Sequence, residues 1–420
     1  MSLHETARKT LQARCCIAGG GPAGMMLGLL LARAGVDVIV LEKHADFLRD
    51  FRGDTIHPST LEVMHELGLL DDFLKRPHEE VQQAEVRIGG RQLIAADFSQ
   101  LPTQCKFLAF MPQWEFLDFI AEHARAFPAF QLQTQAEVTD LLRDGERVVG
   151  VQAQTPQGLL DVHADLVVAA DGRGSTVRER AGLAVIDVGA PMDVLWMRLP
   201  RRETDPSRIM FRIDDGRIMI LLNRDDYWQC AFVIPKGGLD DIRAQGLPAF
   251  RDGIVRLMPE LHDRVDALQS WDDIKLLTVA VNRLRRWYRP GLLCIGDAAH
   301  AMSPVGGVGI NLAIQDAVAA ANLLAPALSG EGVTEAVLAA VQKRRMLPTR
   351  MTQWMQVLLQ NQVIRRVLGR QGSAREIVPW PLRLLQAWPW LQRIPARVIG
   401  MGFRPEHVRV AAARRSVMTE

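Results

Sequence analysis

The sequence predicts an α/β fold: a Rossmann-like domain, an antiparallel β-sheet domain inserted into it, and a helical C-terminal region. Three observations predict it. A Gly19-x-Gly21-x-x-Gly24 run stands between a strand pattern and a helix pattern, residues 181–273 alternate in short apolar runs, and residues 292–320 repeat the order of strand, glycine turn and helix.

A chain of 420 residues is too long for one ordinary core and implies two or three domains. Lys and Arg number 50 against 48 Asp and Glu, so nucleic acid is not an implied partner. The five cysteines include adjacent Cys15-Cys16, which read as small buried strand residues; no disulfide framework is indicated, and a reducing cytoplasm is the expected location. Arg8, Lys9 and Arg14 precede an apolar segment, but Gly19-Gly20-Gly21 interrupts it and Arg33 and Asp37 follow too soon for a signal sequence or a membrane span. No metal site is assigned.

The first unit runs from Arg14 to Lys43. Cys15-Cys16-Ile17-Ala18 reads as a strand, the glycines open a helix through Leu31-Ala32, and Val36 to Leu41 reads as a second strand ending on Glu42. In a βαβ unit with an acid about 20 residues on, the glycine run is a dinucleotide fingerprint. Gly19 allows the tight turn, Gly21 brings backbone to a pyrophosphate, and Gly24 and Gly28 let the helix sit close to the sheet. Glu42 can accept hydrogen bonds from both ribose hydroxyls of an adenosine.

Asp50 to Thr60 follows as a loop, with Ser59 or Thr60 capping an amphipathic helix from Leu61 to Leu70. Arg52 in that loop is either a pyrophosphate contact or a solvated charge. Val81 to Phe110 alternates as strands. Pro112-Gln113 then starts a helix, where Gln113 either donates to a cofactor hydroxyl or caps the helix end. Strand patterns return at Gln131 to Leu142, Val148 to Ala153 and Ala164 to Ala170, the last closing on Asp171-Gly172 with Ser175 and Arg178 beyond.

From Ala181 to Asp273 the runs are short and separated by turns such as Asn223-Arg224-Asp225-Asp226, which describes an antiparallel sheet. Its expected inward face is Leu195, Met197, Met210, Met219, Leu221, Trp228 and Phe232, read mostly as ordinary core but also as wall material for a water-poor pocket. Leu292-Leu293-Cys294-Ile295 is then a buried strand ending near Asp297. Ser303-Pro304 turns the chain, and Gly306, Gly307 and Gly309 lead into an Ala-rich helix expected near Asn311. Backbone N–H groups and a helix start in one place suit a ligand that is polar along its length and anionic at one end.

These motifs occur in the order seen in para-hydroxybenzoate hydroxylase-like, single-component FAD-dependent monooxygenases, which the chain resembles over roughly residues 14 to 345: the fingerprint with Glu42, the segment Asp171-Gly172…Arg178, and Gly296-Asp297…Pro304…Gly306-Gly307-Val308-Gly309-Ile310-Asn311. The resemblance implies FAD, held by Gly19, Gly21, Pro22, Ala23, Gly24, Glu42, Lys43, Arg52 and Gln113. It further implies Asp171 and Arg178 where FAD binding meets nicotinamide use, Gly296 and Asp297 at the ribityl chain, and Pro304, Gly307, Val308, Gly309, Ile310 and Asn311 at the flavin ring. It implies NADH or NADPH as a transient co-substrate, since no second GxGxxG is present, and an aromatic, phenolic substrate hydroxylated through a flavin C4a-hydroperoxide. Reduced flavin carries negative charge near N1 and the C2 oxygen, and a helix start there would favour it.

The expected partition is a discontinuous FAD-binding domain over residues 1–80, 108–180 and 275–345, a substrate-binding sheet domain over 81–107 and 181–274, and a C-terminal helical cap over 346–420. The substrate-activating group is not marked in the sequence. Pro304 is placed over one ring face, Tyr227, His57 and His300 are the candidates for a proton relay, and any of Arg198, Arg212, Arg217 or Arg224 could pair with a substrate carboxylate. The tail carries helical stretches near Met351 to Leu368 and Leu382 to Leu391, broken at Gly369 to Gly372 and at Pro379, Pro381, Pro389 and Pro395. It interleaves Arg with Trp354, Trp380, Trp388 and Trp390, which reads as a docked cap or as peripheral membrane contact of the kind a quinone-precursor hydroxylase would use. A halogenase, an isoprenoid reductase and a non-catalytic FAD-binding protein are the competing readings; Tyr227-Trp228-Gln229 does not match the halogenase segment GWxWxIP. A monomer or a homodimer is expected.

Overall fold

The computed structural model describes residues 8–48, 55–88, 91–206, 209–214, 216–361 and 380–413. The fingerprint strand is longer than its apolar core alone suggests, running Arg8–Ala18: its outer half is exposed and its inner half, Cys15 to Ala18, is fully buried. It lies at the centre of an eight-stranded sheet. Val38–Leu41 and then Phe130–Gln133 pair in parallel on one side; Gly158–Ala169 and then Leu292–Cys294 do so on the other, with Tyr288–Arg289 antiparallel at the edge. The hairpin Glu137–Asp144 and Arg147–Thr155 adds to the outer half of Gly158–Ala169.

Two apolar helices cover this sheet. Pro22–Arg33 is buried from Ala23 to Ala32, and Val308–Ser329 packs against it. Close approach needs glycine: a Cβ at Gly24 would lie 1.9 Å from the Gly19 carbonyl oxygen, and one at Gly28 would lie 2.9 Å from side-chain atoms of Val40 and Phe130. Val308–Ser329 is apolar enough to cross a membrane by composition, but most of it is buried inside this core. All five cysteines are free and buried, with Cys15 and Cys16 in the central strand.

The second sheet has seven strands in the order Lys275–Leu277, Met192–Pro200, Tyr227–Pro235, Arg217–Arg224, Met210–Asp214, Gln83–Ile88 and Arg91–Asp97. Every pairing is antiparallel except that of Met210–Asp214 with Gln83–Ile88. The face expected to roof a pocket does not do so. Leu195, Met197, Met219, Leu221, Trp228 and Phe232 pack against the helix Leu247–Leu257 and the turns after it, with Met210 at their edge. The alternate residues, Val194, Trp196, Ile218, Ile220, Ala231 and Val233, face the cavity described below. Both faces are apolar because both are covered, and with a side-chain period of two, composition alone does not say which set faces which partner.

Beyond the central helices, Glu335–Leu359 packs on Val308–Ser329, and two shorter helices, Trp380–Ala387 and Arg393–Met401, lie on the strand Arg91–Asp97. Pro381 and Pro395 open these helices instead of breaking them, because a first helical turn needs no N–H from proline; Pro348 sits inside Glu335–Leu359, and at Pro389 the chain leaves helix for a short 3₁₀ turn, while Pro379 lies outside the described residues. The predicted break at Gly369 to Gly372 lies outside the described residues. The tail then returns across the first domain, where Ala413 N–H donates to the Arg33 carbonyl and Val408 N–H to Glu66.

Candidate functional site

A cavity of about 1910 Å³ lies between the two sheets. Its polar end is walled by the turns that follow three parallel strands, because in a parallel sheet the chain leaves every such strand on the same side. The first turn carries Gly20 and Gly21. Glu42, at the end of the neighbouring strand, is buried, and its carboxylate accepts the N–H groups of Gly20 and His44, each at 3.0 Å. A Cβ at Gly21 would meet nothing within 4 Å, so the backbone there borders open cavity.

The second turn follows Gly158–Ala169. Asp171 accepts the Ser175 hydroxyl and the Val177 N–H, while burial raises its carboxyl above the ordinary range against the lowering effect of those bonds. Gly172, at φ +88°, and Gly174 also face empty space. Between them Arg173 reaches across, its Nε 3.2 Å from Asp297 Oδ2.

The third turn follows Leu292–Cys294. Asp297, Pro304, Gly306, Gly307, Gly309 and Ile310 line the cavity. The helix starts at Val308, three residues earlier than expected, capped by Gly307 at φ +62°. A Cβ on Gly307 would come within 2.8 Å of Thr55 Oγ1. Neither this helix nor Pro22–Arg33 has a capping side chain or an acid in its first turn. Their leading N–H groups are therefore left for a ligand, and an anionic one is favoured.

Of the residues singled out in the sequence, Gly19, Gly21, Pro22, Ala23, Glu42, Lys43, Gln113, Asp171, Asp297, Pro304, Gly307, Gly309 and Ile310 border this one cavity. Arg52 lies outside the described residues. The others stand behind the wall. Gly24 and Gly296 are packing positions; Gly296 N–H donates to Asp316 Oδ2, and its Cβ would press on Ala23 and Ala313. Arg178 donates to the carbonyls of Ala298 and Arg173, tying the second turn to the third without bordering the cavity. Val308 and Asn311 are also turned away. The buried Asn311 amide accepts from His57 N–H at 2.8 Å and Thr60 Oγ1 at 2.7 Å and donates to the Thr55 carbonyl at 2.9 Å, so it holds the loop from the inside of the fold.

The proton-relay candidates do not reach the cavity. His57 is fully buried, its Nδ1 2.7 Å from the Ile399 carbonyl, and desolvation pushes its pKa down to about 4. His300 is paired at 2.6 Å with Asp316 inside the core. Tyr227 shares a sheet face with Ala231 but sits four residues farther out, roughly 13 Å along the strand, with the Arg198 guanidinium 4.7 Å from its ring centre. None of the arginines offered to a substrate carboxylate borders the cavity: Arg212 pairs with Glu260, and Arg224 bonds Gln229 and acts on the cavity-lining Glu79. Arg173, His44, Phe47, Met302 and the C-terminal residues Leu382, Leu385 and Val398 border the cavity without having been singled out. The three-residue and four-residue apolar spacing of the last helices was the available signal for that wall.

Comparison with known proteins agrees with this geometry. A family model described as an FAD binding domain matches residues 12–355. The chain is 37% identical over 345 residues to a 6-methylpretetramide 4-monooxygenase of Streptomyces rimosus, covering 82% of each protein. It is 27% identical over 312 residues to a para-nitrophenol 4-monooxygenase of Pseudomonas sp. strain WBC-3, covering 72% of this chain and 75% of that one. Among solved structures, the p-nitrophenol 4-monooxygenase PnpA of Pseudomonas putida DLL-E4 superposes with a TM-score of 0.73 at 22% identity, over 94% of this chain and 100% of its own. PqsL of Pseudomonas aeruginosa, solved with 2-aminobenzoylacetate, superposes with a TM-score of 0.72 at 23% identity, over 85% of this chain and 98% of its own. At that identity the structural likeness is one of fold.

Proposed function

This chain belongs to the FAD binding domain family, and from that premise we infer an FAD-dependent monooxygenase of the para-hydroxybenzoate hydroxylase-like group, which uses a reduced nicotinamide and O2 to hydroxylate an aromatic compound. One observation carries the reading: three strand-end turns, bearing Gly21, Asp171 and Asp297, and Glu42 at the end of the neighbouring strand wall a single cavity that continues into an apolar chamber under the second sheet. FAD fits the polar end on the strength of the cradles at Gly21, Gly172 and Gly174, where a Cβ would stand in open space. When bound there, FAD would supply the redox chemistry by which a reduced nicotinamide and O2 are used to hydroxylate the ring.

The chain's own residues do the holding. Glu42, its carboxylate fixed by two backbone N–H groups, takes the adenosine ribose hydroxyls, and the start of Pro22–Arg33 takes the pyrophosphate. Asp297, steadied by Arg173, takes the ribityl hydroxyls. The start of Val308–Ser329 brings donors and a partial positive charge to the cavity, where it would hold the flavin ring and would favour negative charge on it. Pro304 and the apolar sheet face exclude water from the reacting face.

The test is direct. Purified protein should be yellow, and its NAD(P)H oxidation should accelerate when the right phenol is added. With isotopically labelled dioxygen the label should enter the product. Labelled product is the outcome that a reductase or a non-catalytic FAD-binding protein cannot give; its absence across a broad panel of phenols refutes the assignment. Asp297→Ala should lower FAD occupancy, and unchanged occupancy removes the role given to Asp297. A second reading, peripheral membrane contact, is supported by the exposed Trp354, Trp380, Trp388 and Trp390, with the Arg393 guanidinium 5.4 Å from the Trp390 ring. Co-sedimentation with anionic vesicles, lost on changing these tryptophans to serine, tests it.

A further inference from the structure

We propose that the substrate is an uncharged, largely apolar system of more than one ring, and that the paired C-terminal helices Trp380–Ala387 and Arg393–Met401 form the wall that selects it. The proposal rests on the monooxygenase reading above and adds the substrate class.

Size comes first. A cavity of about 1910 Å³ is roughly twice the upper end of the ~300–1,000 Å³ usual for one small ligand. With the dinucleotide at the polar end, the chamber beyond it still has room for a body wider than a single phenol. Charge comes second. Among the described lining residues only Lys43 and Arg173 are Lys or Arg; Lys43 adjoins Glu42, and Arg173 is engaged with Asp297, both at the polar end. The chamber's acids are the half-buried Glu79, whose carboxyl burial raises above its ordinary range against the lowering effect of Arg201 and Arg224 behind it, and the exposed Glu80 and Glu85. A substrate carboxylate would therefore lose its hydration there with no Lys or Arg among the chamber's described lining residues to pair with it.

The selecting wall follows from packing. Leu382 and Leu385 on one helix and Val398 and Ile399 on the other are half-buried and line the chamber opposite the cavity face of the second sheet. Their helices are fastened from outside the chamber: Gln386 Nε2 donates to the Ile94 carbonyl at 2.8 Å, and His57 holds the Ile399 carbonyl. Gly400 lets Arg393–Met401 lie close, since a Cβ there would be 3.0 Å from Leu101 Cδ1. All four lining residues lie beyond residue 355, where the match to the family ends, so this wall lies outside the shared segment.

Holoenzyme titrated with phenol, naphthol, phenanthrol, para-hydroxybenzoate and hydroxynaphthoate, read by the change in flavin absorbance, tests the proposal. Phenanthrol should bind at least tenfold more tightly than phenol and at least tenfold more tightly than hydroxynaphthoate. Leu385→Arg, with FAD content checked, should shift the ratio toward hydroxynaphthoate at least tenfold. Should Leu385→Arg fail to fold, the five-ligand series on the unaltered protein decides by itself. Equal or tighter binding of either carboxylated ring overturns the proposal, as does failure of phenanthrol to bind. Labelled-oxygen incorporation is scored separately: a carboxylated ring bound best and hydroxylated would overturn the substrate class while leaving the monooxygenase standing. Tight phenanthrol binding with no incorporation from any ring would do the reverse.

Discussion

Replacing Asn311 with alanine separates a staple of the fold from a cofactor contact. The side chain is buried and satisfies three partners at 2.7 to 2.9 Å: the His57 N–H, the Thr60 hydroxyl and the Thr55 carbonyl. Two of these are backbone groups with no freedom to turn elsewhere, and each buried group left without a partner costs about 1–3 kcal/mol. The Thr60 hydroxyl can rotate, so its share is smaller. Asn311→Ala should therefore cost about 3–5 kcal/mol, a large part of the ~5–15 kcal/mol that holds a domain folded. Asn311→Asp keeps the acceptor but sets a buried carboxylate oxygen against the Thr55 and Gly307 carbonyls, and should cost at least as much as the alanine. The assay is urea unfolding of the FAD-free protein followed by tryptophan fluorescence, with FAD affinity measured separately. FAD should bind the alanine variant more weakly, since the Gly307 turn is held by the same side chain, but saturating FAD should restore part of the lost stability. An unchanged urea midpoint together with abolished FAD binding would refute the staple and put Asn311 on the flavin.

Gly21→Ala should leave the FAD-free protein within about 1 kcal/mol of its original stability, because its backbone is extended at φ −74° and its Cβ meets nothing, yet weaken FAD at least tenfold, about 1.4 kcal/mol. Gly24→Ala should instead cost about 3 kcal/mol or more, its Cβ being 1.9 Å from a backbone oxygen; equal effects in unfolding and fluorescence titrations would contradict the geometry. Asp316→Asn should cost about 3–5 kcal/mol by leaving Arg345 and His300 without their buried acid, read as a lower temperature of flavin release; against the burial that opposes ionisation, those two partners hold the Asp316 carboxyl below its ordinary value. The His57 pKa, depressed from 6.5 to about 4, stabilises the fold fully above pH 6.5. That contribution falls away as pH drops toward 4, by up to about 3 kcal/mol, and urea midpoints taken across this window should lose that component in His57→Gln.

The parts of the site that could be read in the sequence are those fixed by local chain geometry. Glu42, Asp171 and Asp297 each follow a strand of one parallel sheet, and strand ends on the same side must converge whatever the intervening chain does. The α/β class was legible for the same reason. The parity of the second sheet was not: Leu195 and Val194 are equally apolar, and only the position of the helix Leu247–Leu257 decides that the first enters a core and the second a cavity. Nor could Asn311, Tyr227 or His57 be placed by type alone, since each is a polar residue near a motif and its role depends on partners as distant in sequence as Ile399.

The cofactor framework and the C-terminal region are joined by buried polar bonds, which bears on how the site can vary. Asp316 holds the Gly296 N–H on one side and Arg345 on the other, and Arg345 in turn holds the Arg404 carbonyl and Glu406. His57 does the same for Ile399. In each case a residue inside the segment shared with the family reaches a partner beyond it. A buried charge or ring nitrogen that lost such a partner would be costly, so the helix Arg393–Met401 and the segment after it cannot leave without unsettling residues that pack against the cofactor turns. The inner faces of Trp380–Ala387 and Arg393–Met401 are under no such constraint: Leu382, Leu385 and Val398 make apolar contact only, and exchanging one apolar side chain for another of similar volume costs little. The fold thus fixes where the wall stands and leaves its surface free to fit a substrate.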